Sequence, residues 1–490
     1  MTDWSAIRHV VVLMLENRSF DNVFGFLRPA GPDFDGLDGA GCAGNDGIAP
    51  WPTPGDTGCS TVPNPDPGET FDDINAQLFN GPITGVPSMS GFVANYNHLG
   101  GNGADVMHCF TRNDLPVLSE LASSFAVSDR WFASAPCQTW PNRFFVHAGT
   151  ANGYENNTLD GFPFPMQTIF NELQGVVPWK IYFHDFPQTA LLSRLWPYFA
   201  NFRLIDEFIS DAAAGQLPAY AFIEPRYYPD VVQLPNDMHP PHHVPFADAL
   251  VARVYNAVRA SPNWDNTLLI VTFDEHGGCF DHVPPPAATQ PEPPRPMQRF
   301  TFDRFGVRVP AVVVSPYTAA GTVLRADGPV PYDHTSILKT VRNCFGIAGP
   351  LSAREAAAPD LSAALNAPFD ANRGPLSIDV PAPIVDDATL QAANGRDVTH
   401  MQGLFALAAK SLAPLGASTT VTQHIQDLIQ SKNPPAGAAD AQTPAAPTTA
   451  GAAGTFARSI MQKILARFAA PKPPQAVPQA APQDSIYRGQ

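Results

Sequence analysis

Residues 10–21 read Val-Val-Val-Leu-Met-Leu-Glu-Asn-Arg-Ser-Phe-Asp, and this stretch decides the fold. Six consecutive apolar residues, Val10–Leu15, predict a strand buried on both faces, as in a parallel sheet. The strand runs directly into Glu16 and Asn17, which are costly to bury at a strand tip unless they bind something. Helix capping by Asn17 or Ser19 explains the same residues, and both interpretations stay open at this point.

Similar apolar runs recur along the chain, and helical patterns lie between them. The further predicted strands are Leu268–Phe273, Val309–Ser315, Phe125–Val127, Trp179–Phe183 and Ala219–Ile223. The predicted helices are Leu115–Ser123, Thr168–Leu173, Ala190–Phe199, Phe246–Arg259 and Thr335–Cys344. This alternation predicts a doubly wound α/β fold. Ligands of such folds bind at the carboxyl ends of the strands, so the strand ends are where a site is expected.

A second acidic pair follows the apolar run Leu268–Phe273. It consists of Asp274 and Glu275, and His276-Gly277-Gly278 come next. Two adjacent carboxylates are tolerated best beside a cation, and the glycine pair lets the backbone approach a ligand closely. A solvated acidic turn is the alternative.

A hydroxyl group is expected at a third strand end. Pro141 favours the first turn of a helix, which places Thr139 at or near the helix N-cap, a favourable phosphate site. A plain capping threonine would give the same pattern.

Taken together, the three segments predict a metal-assisted nucleophile. Glu16, Asn17, Asp274 and Glu275 offer hard oxygen ligands that suit Mg²⁺, Ca²⁺ or Mn²⁺. A metal that touches Thr139 would lower the pKa of its hydroxyl group for attack on phosphorus.

Three histidines add acid–base chemistry to this prediction. His239 and His242 precede the helix that leads to the Asp274 strand, and His334 directly precedes another helix. Each alone is more often structural. Beside two carboxylate motifs, they indicate general acid catalysis and neutralisation of phosphate charge.

Composition limits the partners. The formal charge of −16 over 490 residues argues against nucleic acid as a partner. No apolar run is long enough for a transmembrane helix. The N-terminus lacks a basic stretch, which predicts a cytoplasmic protein or export without a cleaved leader. Six cysteines are too few for a disulfide scaffold, and free thiols are expected even for Cys42 and Cys59, which share one loop.

Four segments are predicted. Residues 1–350 form the catalytic domain, with residues 28–90 as a long loop insertion that we expect to act as a lid. Residues 351–432 form an extension with helices Val398–Leu412 and Thr420–Gln430, and residues 433–453 form an Ala/Pro-rich linker. Residues 454–490 hold the amphipathic helix Thr455–Ala469 and a disordered tail. That helix either contacts a membrane or partner, or packs back on the domain.

Several motifs together resemble the bacterial phosphoesterase family, which contains non-specific phospholipases C and acid phosphatase A type enzymes. They are Glu16–Asp21, Thr139–Arg143, Asn236–His242, Asp274–Gly278 and Asp281–Pro284, within a similarity from about residue 7 to residue 345. The resemblance implies an alkaline-phosphatase-like α/β fold with a mostly parallel sheet and a single divalent metal (Ca, Mg, Mn or Zn).

The resemblance also implies roles for individual residues. Thr139 matches the nucleophile that forms a phosphothreonine intermediate, and Glu16, Asn17, Asp274 and Glu275 match the metal-binding positions. His239, His242 and His334 match residues around the phosphate and the leaving group, and Asn142 and Arg143 are expected to bind substrate. Cys137 and Cys279 depart from the family pattern. As the explanation, we favour tight packing over a redox-sensitive pair.

The leading hypothesis is a phospholipase C that hydrolyses phosphatidylcholine-like phosphodiesters, with phospholipid or another phosphoester as substrate and possible peripheral contact with a membrane. A broad acid phosphomonoesterase that uses the same residues is the alternative. A phosphate- or headgroup-binding protein without turnover is the second alternative.

Overall fold

The computed structural model describes residues 4–38, 45–54, 59–369, 372, 374–379, 385–417 and 447–469. Twelve strands are found in this part of the chain: β1 His9–Leu15, β2 Trp51–Pro52, β3 His108–Cys109, β4 Ala126–Ser128, β5 Trp131–Phe132, β6 Trp179–Phe183, β7 Phe202–Leu204, β8 Tyr220–Ile223, β9 Thr267–Phe273, β10 Ala311–Val314, β11 Thr322–Val323 and β12 Tyr332–Asp333.

The central sheet has eight strands in the order β11-β4-β10-β9-β1-β8-β6-β7. β1 lies in the middle, parallel to β9 on one side and to β8 on the other. Val10–Leu15 is fully buried, as its unbroken apolar sequence predicts. The carboxyl ends of β1, β4 and β9 therefore meet at one edge of the sheet, because these three strands point the same way.

β10 departs from the parallel arrangement expected of the apolar run Val309–Ser315. It runs antiparallel to both of its neighbours, β9 and β4. The physical reason is the connection: residues 274–310 contain no helix that could carry the chain across a face of the sheet. Without that crossover the chain reverses at the strand ends and returns antiparallel. The mostly parallel, doubly wound α/β architecture is otherwise confirmed.

Helices cover both faces of the sheet. Those described are α1 Phe20–Phe24, α2 Phe71–Phe79, α3 Phe92–His98, α4 Pro116–Ser124, α5 Thr139–Ala148, α6 Ile169–Leu173, α7 Ile205–Ala213, α8 Val244–Ala260, α9 Thr335–Phe345, α10 Ala353–Ala357, α11 Asp387–Gly395, α12 His400–Ala417 and α13 Ala450–Ala469. The predicted α-helix Ala190–Phe199 is wrong. Two 3-10 helices, Gln188–Leu191 and Ser193–Asn201, take its place, and Pro197 inside the second cannot donate a backbone hydrogen bond.

The C-terminal helices pack on the catalytic core. Phe405 of α12 is fully buried, and its ring stacks on Trp140 at a centroid distance of 6.0 Å. α13 begins at Ala450, inside the predicted linker, and packs back on the domain: Phe468 contacts Phe199 at 5.5 Å between ring centroids. Among the helices that the structure describes, none combines the length and apolar character needed to span a membrane.

Part of the 28–90 insertion lies in a small hydrophobic cluster that it shares with α3 and with the loop that follows β9. Ile74 and Leu78 of α2 pack there against Phe92 and Val93 of α3. That this insertion acts as a lid stays a prediction. Cys42, the helix Thr420–Gln430, most of the linker and the last fifteen residues lie outside the described residues.

Candidate active site

The ends of β1 and β9 bring Asn17 and Asp274 into contact. The backbone N–H of Asn17 donates to Asp274 Oδ1 at 2.9 Å, and Thr139 Oγ1 donates to Asn17 Oδ1 at 3.3 Å. All three residues are fully buried. The hydroxyl, amide and carboxylate predicted from three distant segments therefore lie together at one edge of the sheet.

The close approach of these two strand ends depends on Gly277. Its φ is +59°, and a Cβ atom there would lie 2.4 Å from the carbonyl oxygen of Asn17. Asn17 itself has a φ of +54°, in the left-handed region where asparagine is tolerated better than most residues. The sequence predicts that the glycine pair lets the backbone approach a ligand closely. In the structure, Gly277 instead lets its backbone approach the backbone of Asn17.

Thr139 is the first residue of α5, and Gln138 is the N-cap. The amides near this helix end are not all free, because Asn157 Oδ1 accepts the N–H of Trp140 at 2.8 Å. The expectation that the hydroxyl faces a cluster of free amides is therefore only partly met. What the structure does provide is a buried hydroxyl at the positive end of a ten-residue helix, held by Asn17.

The side-chain amide of Asn142 forms hydrogen bonds with the backbone that precedes Thr139. Its Oδ1 accepts the N–H of Ala135 at 3.0 Å, and its Nδ2 donates to the carbonyl of Cys137 at 2.7 Å. Both ends of the amide are used to hold the loop that precedes Thr139. A substrate role for Asn142 stays a prediction, and the contact that the structure shows is with this loop.

Arg143 lies beneath the predicted metal ligands. Its Nη2 donates to Glu16 Oε1 at 2.6 Å, and its Nε lies 3.4 Å from Asp274 Oδ2. Nη1 is buried and has no hydrogen-bond partner among the described residues, and substrate binding by Arg143 stays a prediction. Most of the guanidinium group neutralises Glu16 and Asp274.

Glu16 and Glu275 each keep one buried oxygen without a partner among the described residues, Oε2 and Oε1 respectively. The other oxygens are used: Gln188 donates to Glu16 Oε1 at 2.7 Å, and Gly277 N donates to Glu275 Oε2 at 2.8 Å. Burial, together with the charge of Asp274, raises the pKa of Glu16 well above its ordinary value and that of Glu275 to about 8. Buried carboxylates with spare oxygens fit a hard divalent cation, which would keep them ionised.

Two acidic residues of the site were missed as functional residues. Glu69 is buried beside Asn17, whose Nδ2 donates to Glu69 Oε2, and Gln138 donates to Glu69 Oε1 at 3.2 Å. Burial raises the pKa of Glu69 well above its ordinary value. Asp237 accepts the N–H of Glu16 at its backbone carbonyl, at 2.8 Å. Glu69 follows no apolar strand, whereas Asp237 stands within the quoted histidine motif and could have been found there.

The three predicted histidines lie in different environments. His242 Nδ1 lies 2.7 Å from Asp237 Oδ1, which orients the ring. His239 is buried beside Glu69; burial lowers its pKa, but Asp66 and Glu69 outweigh that effect and raise it to about 9. His334 Nε2 lies 2.6 Å from the carbonyl of Asp274, and Trp131 donates to its Nδ1 at 3.4 Å. Both ring nitrogens of His334 thus have protein partners, and its catalytic role stays a prediction.

Cys137 and Cys279 are both fully buried free thiols. Cys137 packs in an apolar cluster with Phe71 and Phe145. Burial raises the pKa of Cys137 well above its ordinary value and that of Cys279 to about 11. Thiols that stay protonated and shielded from solvent react slowly, which agrees with tight packing.

The chemistry that this edge of the sheet can support is metal-dependent hydrolysis of a phosphoric ester, with a hydroxyl nucleophile and an oriented histidine close to oxygen ligands. Comparison with known proteins agrees. The Phosphoesterase family matches residues 7–348, and the chain belongs to this family.

Relatives of the chain are found in plants as well as bacteria. Non-specific phospholipase C6 of Arabidopsis thaliana is 40% identical over 70% of this chain and 69% of its own. Non-specific phospholipase C3 of the same plant is 38% identical over 74% of each chain. Phospholipase C B of Mycobacterium tuberculosis is 27% identical over 76% of this chain and 80% of its own.

Solved structures resemble the chain only partially. A protein in the alkaline phosphatase superfamily from Vibrio parahaemolyticus covers 51% of this chain and 64% of its own, with 12% identity and a TM-score of 0.32. Lipoteichoic acid synthase LtaP from Listeria monocytogenes covers 71% and 74%, with 12% identity and a TM-score of 0.33. The fold is defined by the order and direction of the strands in the central sheet.

Proposed function

We propose that the chain is a phospholipase C that hydrolyses phosphatidylcholine-like phosphodiesters through a phosphothreonine at Thr139. The observation that carries the proposal is the contact of the buried Thr139 hydroxyl with Asn17, 3.3 Å apart, at the strand ends where Asp274 also lies. The names of the plant and mycobacterial relatives support the same activity.

In this proposal one divalent cation is held by Glu16, Asn17, Asp274 and Glu275. When bound, the cation neutralises charge on the phosphate and lowers the pKa of a nearby hydroxyl group. Arg143 keeps Glu16 and Asp274 oriented from below, through the contacts at 2.6 and 3.4 Å. Asn142 holds the loop that places Thr139 at the helix start, so that the hydroxyl group attacks from a fixed position.

His242 is the group best placed to move protons. Asp237 fixes Nδ1 of the ring, which leaves Nε2 to protonate the diacylglycerol oxygen as the ester bond breaks. The same nitrogen then accepts a proton from the water that attacks phosphorus, so that phosphocholine is released and the Thr139 oxygen becomes free again. Asp237 thus orients His242 in the way that a carboxylate orients the histidine of a catalytic triad.

A pocket beside His242 favours a diester over a simple monoester. It has a volume of about 280 Å³ and is lined by the His242–His243 loop on one side and by α11, Arg396 and Gln402 on the other. A phosphodiester has a second substituent beyond the scissile bond, and this pocket offers room for it. Part of its wall comes from the C-terminal helices, outside the matched family region.

The decisive assay compares phosphatidylcholine with a simple aryl phosphate for the wild type, Thr139→Ala and Thr139→Ser. We expect Thr139→Ala to lower turnover by at least about a thousandfold, because the attacking oxygen is lost, and Thr139→Ser to retain part of it. Thr168→Ala is the matched control, since Thr168 only caps α6 and its loss costs about 1 kcal/mol of stability.

A large preference for the aryl phosphate would favour the acid phosphomonoesterase. Headgroup binding without turnover of either substrate, in the presence of divalent metal, would favour the non-catalytic alternative.

A further inference from the structure

We propose that the chain holds a second divalent cation, on Asp66, Glu69 and His239, beside the position formed by Glu16, Asn17, Asp274 and Glu275. One ligand atom from each of the three residues lies within 4.8 Å of the others. Asp66 and Glu69 belong to the 28–90 insertion, and His239 belongs to the loop that precedes α8. Three residues from two distant segments therefore bring candidate ligand atoms near one another.

His239 points an unused nitrogen into this cluster. The residue is 1% exposed, and its Nε2 has no hydrogen-bond partner among the described residues. Its Nδ1 lies 2.6 Å from the carbonyl oxygen of Pro240, to which it can donate its proton. A cation that binds here would displace the proton of Nε2, and a histidine whose Nδ1–H is held by a carbonyl then presents the lone pair of Nε2, which is the usual arrangement of a metal ligand.

The distances within the cluster are too long for hydrogen bonds. His239 Nε2 lies 3.7 Å from Glu69 Oε2, and His239 Nδ1 lies 3.6 Å from Asp66 Oδ1. Two ligand atoms that each bind one ion at about 2.1 Å lie about 3 to 4 Å apart, so the Nε2–Oε2 separation suits a shared cation. Asp66 Oδ1 is also buried without a hydrogen-bond partner among the described residues.

The cation chemistry expected here differs from that of the first position. A mixed set of one imidazole and two carboxylates favours Zn²⁺ or Mn²⁺, whereas an all-oxygen set accepts Mg²⁺ or Ca²⁺ as well. Glu69 also contacts the side chains of Asn17 and Gln138, so it links the two positions. A cation on Glu69 would therefore fasten the 28–90 insertion to the catalytic edge of the sheet.

The test is metal stoichiometry, measured on the full-length chain by chelation, equilibrium dialysis against Mn²⁺ or Zn²⁺, and elemental analysis. We expect two equivalents for the wild type, one for Asp66→Asn and one for Glu16→Gln. Asp72→Asn is the matched control, because Asp72 lies in the same insertion but pairs with Arg299. This variant should still bind two equivalents of metal. Affinity for the second equivalent should fall at least about tenfold in Asp66→Asn.

One equivalent in the wild type would overturn the proposal, and this outcome does not depend on any variant folding. Two equivalents that persist in Asp66→Asn but are lost in Asp21→Asn would also overturn it, by assigning the ion to the cluster of Asp21, Asp281 and His282. A one-equivalent chain that still hydrolyses phosphatidylcholine would leave the proposed function intact, so the two failures are distinguishable.

Discussion

His282 shows how a cluster that resembles a metal site can be satisfied by protein alone. Its ring lies 2.7 Å from Asp21 Oδ2 and 3.1 Å from Asp35 Oδ1. Arg308, fully buried, donates to Asp21 and to Asp281 at 2.9 Å each. These contacts join α1, which follows β1, to the loop that follows β9. The arginine supplies the positive charge that a cation would otherwise bring.

The pH dependence of stability follows from this network. Burial lowers the pKa of His282, but the hydrogen bonds with Asp21 and Asp35 outweigh it and raise the pKa to about 10. Because the folded pKa lies above the unfolded value, the stabilisation is complete below pH 6.5 and is lost as pH rises to about 10. In urea unfolding, the free-energy difference between wild type and His282→Gln should therefore shrink across this range.

His98→Gln, at the exposed end of α3, is the control for a histidine change without this network. If the difference in unfolding free energy between wild type and His282→Gln grows as pH rises, the predicted loss of stabilisation is wrong.

At the scale of elements, the strands and the polar residues at their ends could be predicted from the sequence. The direction of β10 and the contact of Glu69 with Asn17 could not. β1 and β9 were predicted because unbroken apolar runs of this length are typical of buried parallel strands. The antiparallel direction of β10 could not be predicted, since an apolar run carries no information on direction. Glu69 was missed because its segment has no periodicity, and only the tertiary fold brings it to Asn17.

Gly277→Ala tests the packing of the two strand ends. The added Cβ would meet the carbonyl oxygen of Asn17, at a positive φ that alanine rarely adopts, so we expect a loss of about 2 kcal/mol or more in unfolding free energy. Metal affinity should fall as well, since Asn17 must move. Calorimetric titration with Mn²⁺ and urea unfolding measure the two effects.

Gly328→Ala is the matched control, because no atom lies within 4 Å of the Cβ it would add. Equal metal affinity in Gly277→Ala and the wild type would show that the position of Asn17 does not matter to the site.

At the scale of the whole molecule, the catalytic edge of the sheet also carries exposed apolar residues. Val231 and Val232 are 85% and 68% exposed. They lie between Pro229 and Leu234, which line the pocket beside His242, in the loop that follows β8. An apolar loop at the mouth of the proposed substrate pocket is suited to contact a lipid surface, and we therefore propose that this loop makes the peripheral membrane contact.

The double variant Val231→Ser/Val232→Ser should lower hydrolysis of phosphatidylcholine vesicles by roughly tenfold, since less apolar surface can enter the bilayer interface. Hydrolysis of a short-chain, water-soluble phosphatidylcholine should stay unchanged. Val176→Ser is the control: this valine is 60% exposed and precedes β6, at the opposite edge of the sheet. A similar loss on both substrates would contradict a role in membrane contact.

The most direct test of the central claim is to trap the covalent intermediate. The enzyme is quenched in acid during turnover of phosphatidylcholine, and the peptide that contains Thr139 is examined by mass spectrometry. We predict a phosphocholine group on Thr139, because diacylglycerol leaves while choline stays esterified to phosphorus, and no such group in Thr139→Ala. Absence of this group from Thr139 in enzyme quenched during turnover, or undiminished turnover by Thr139→Ala, would contradict the account.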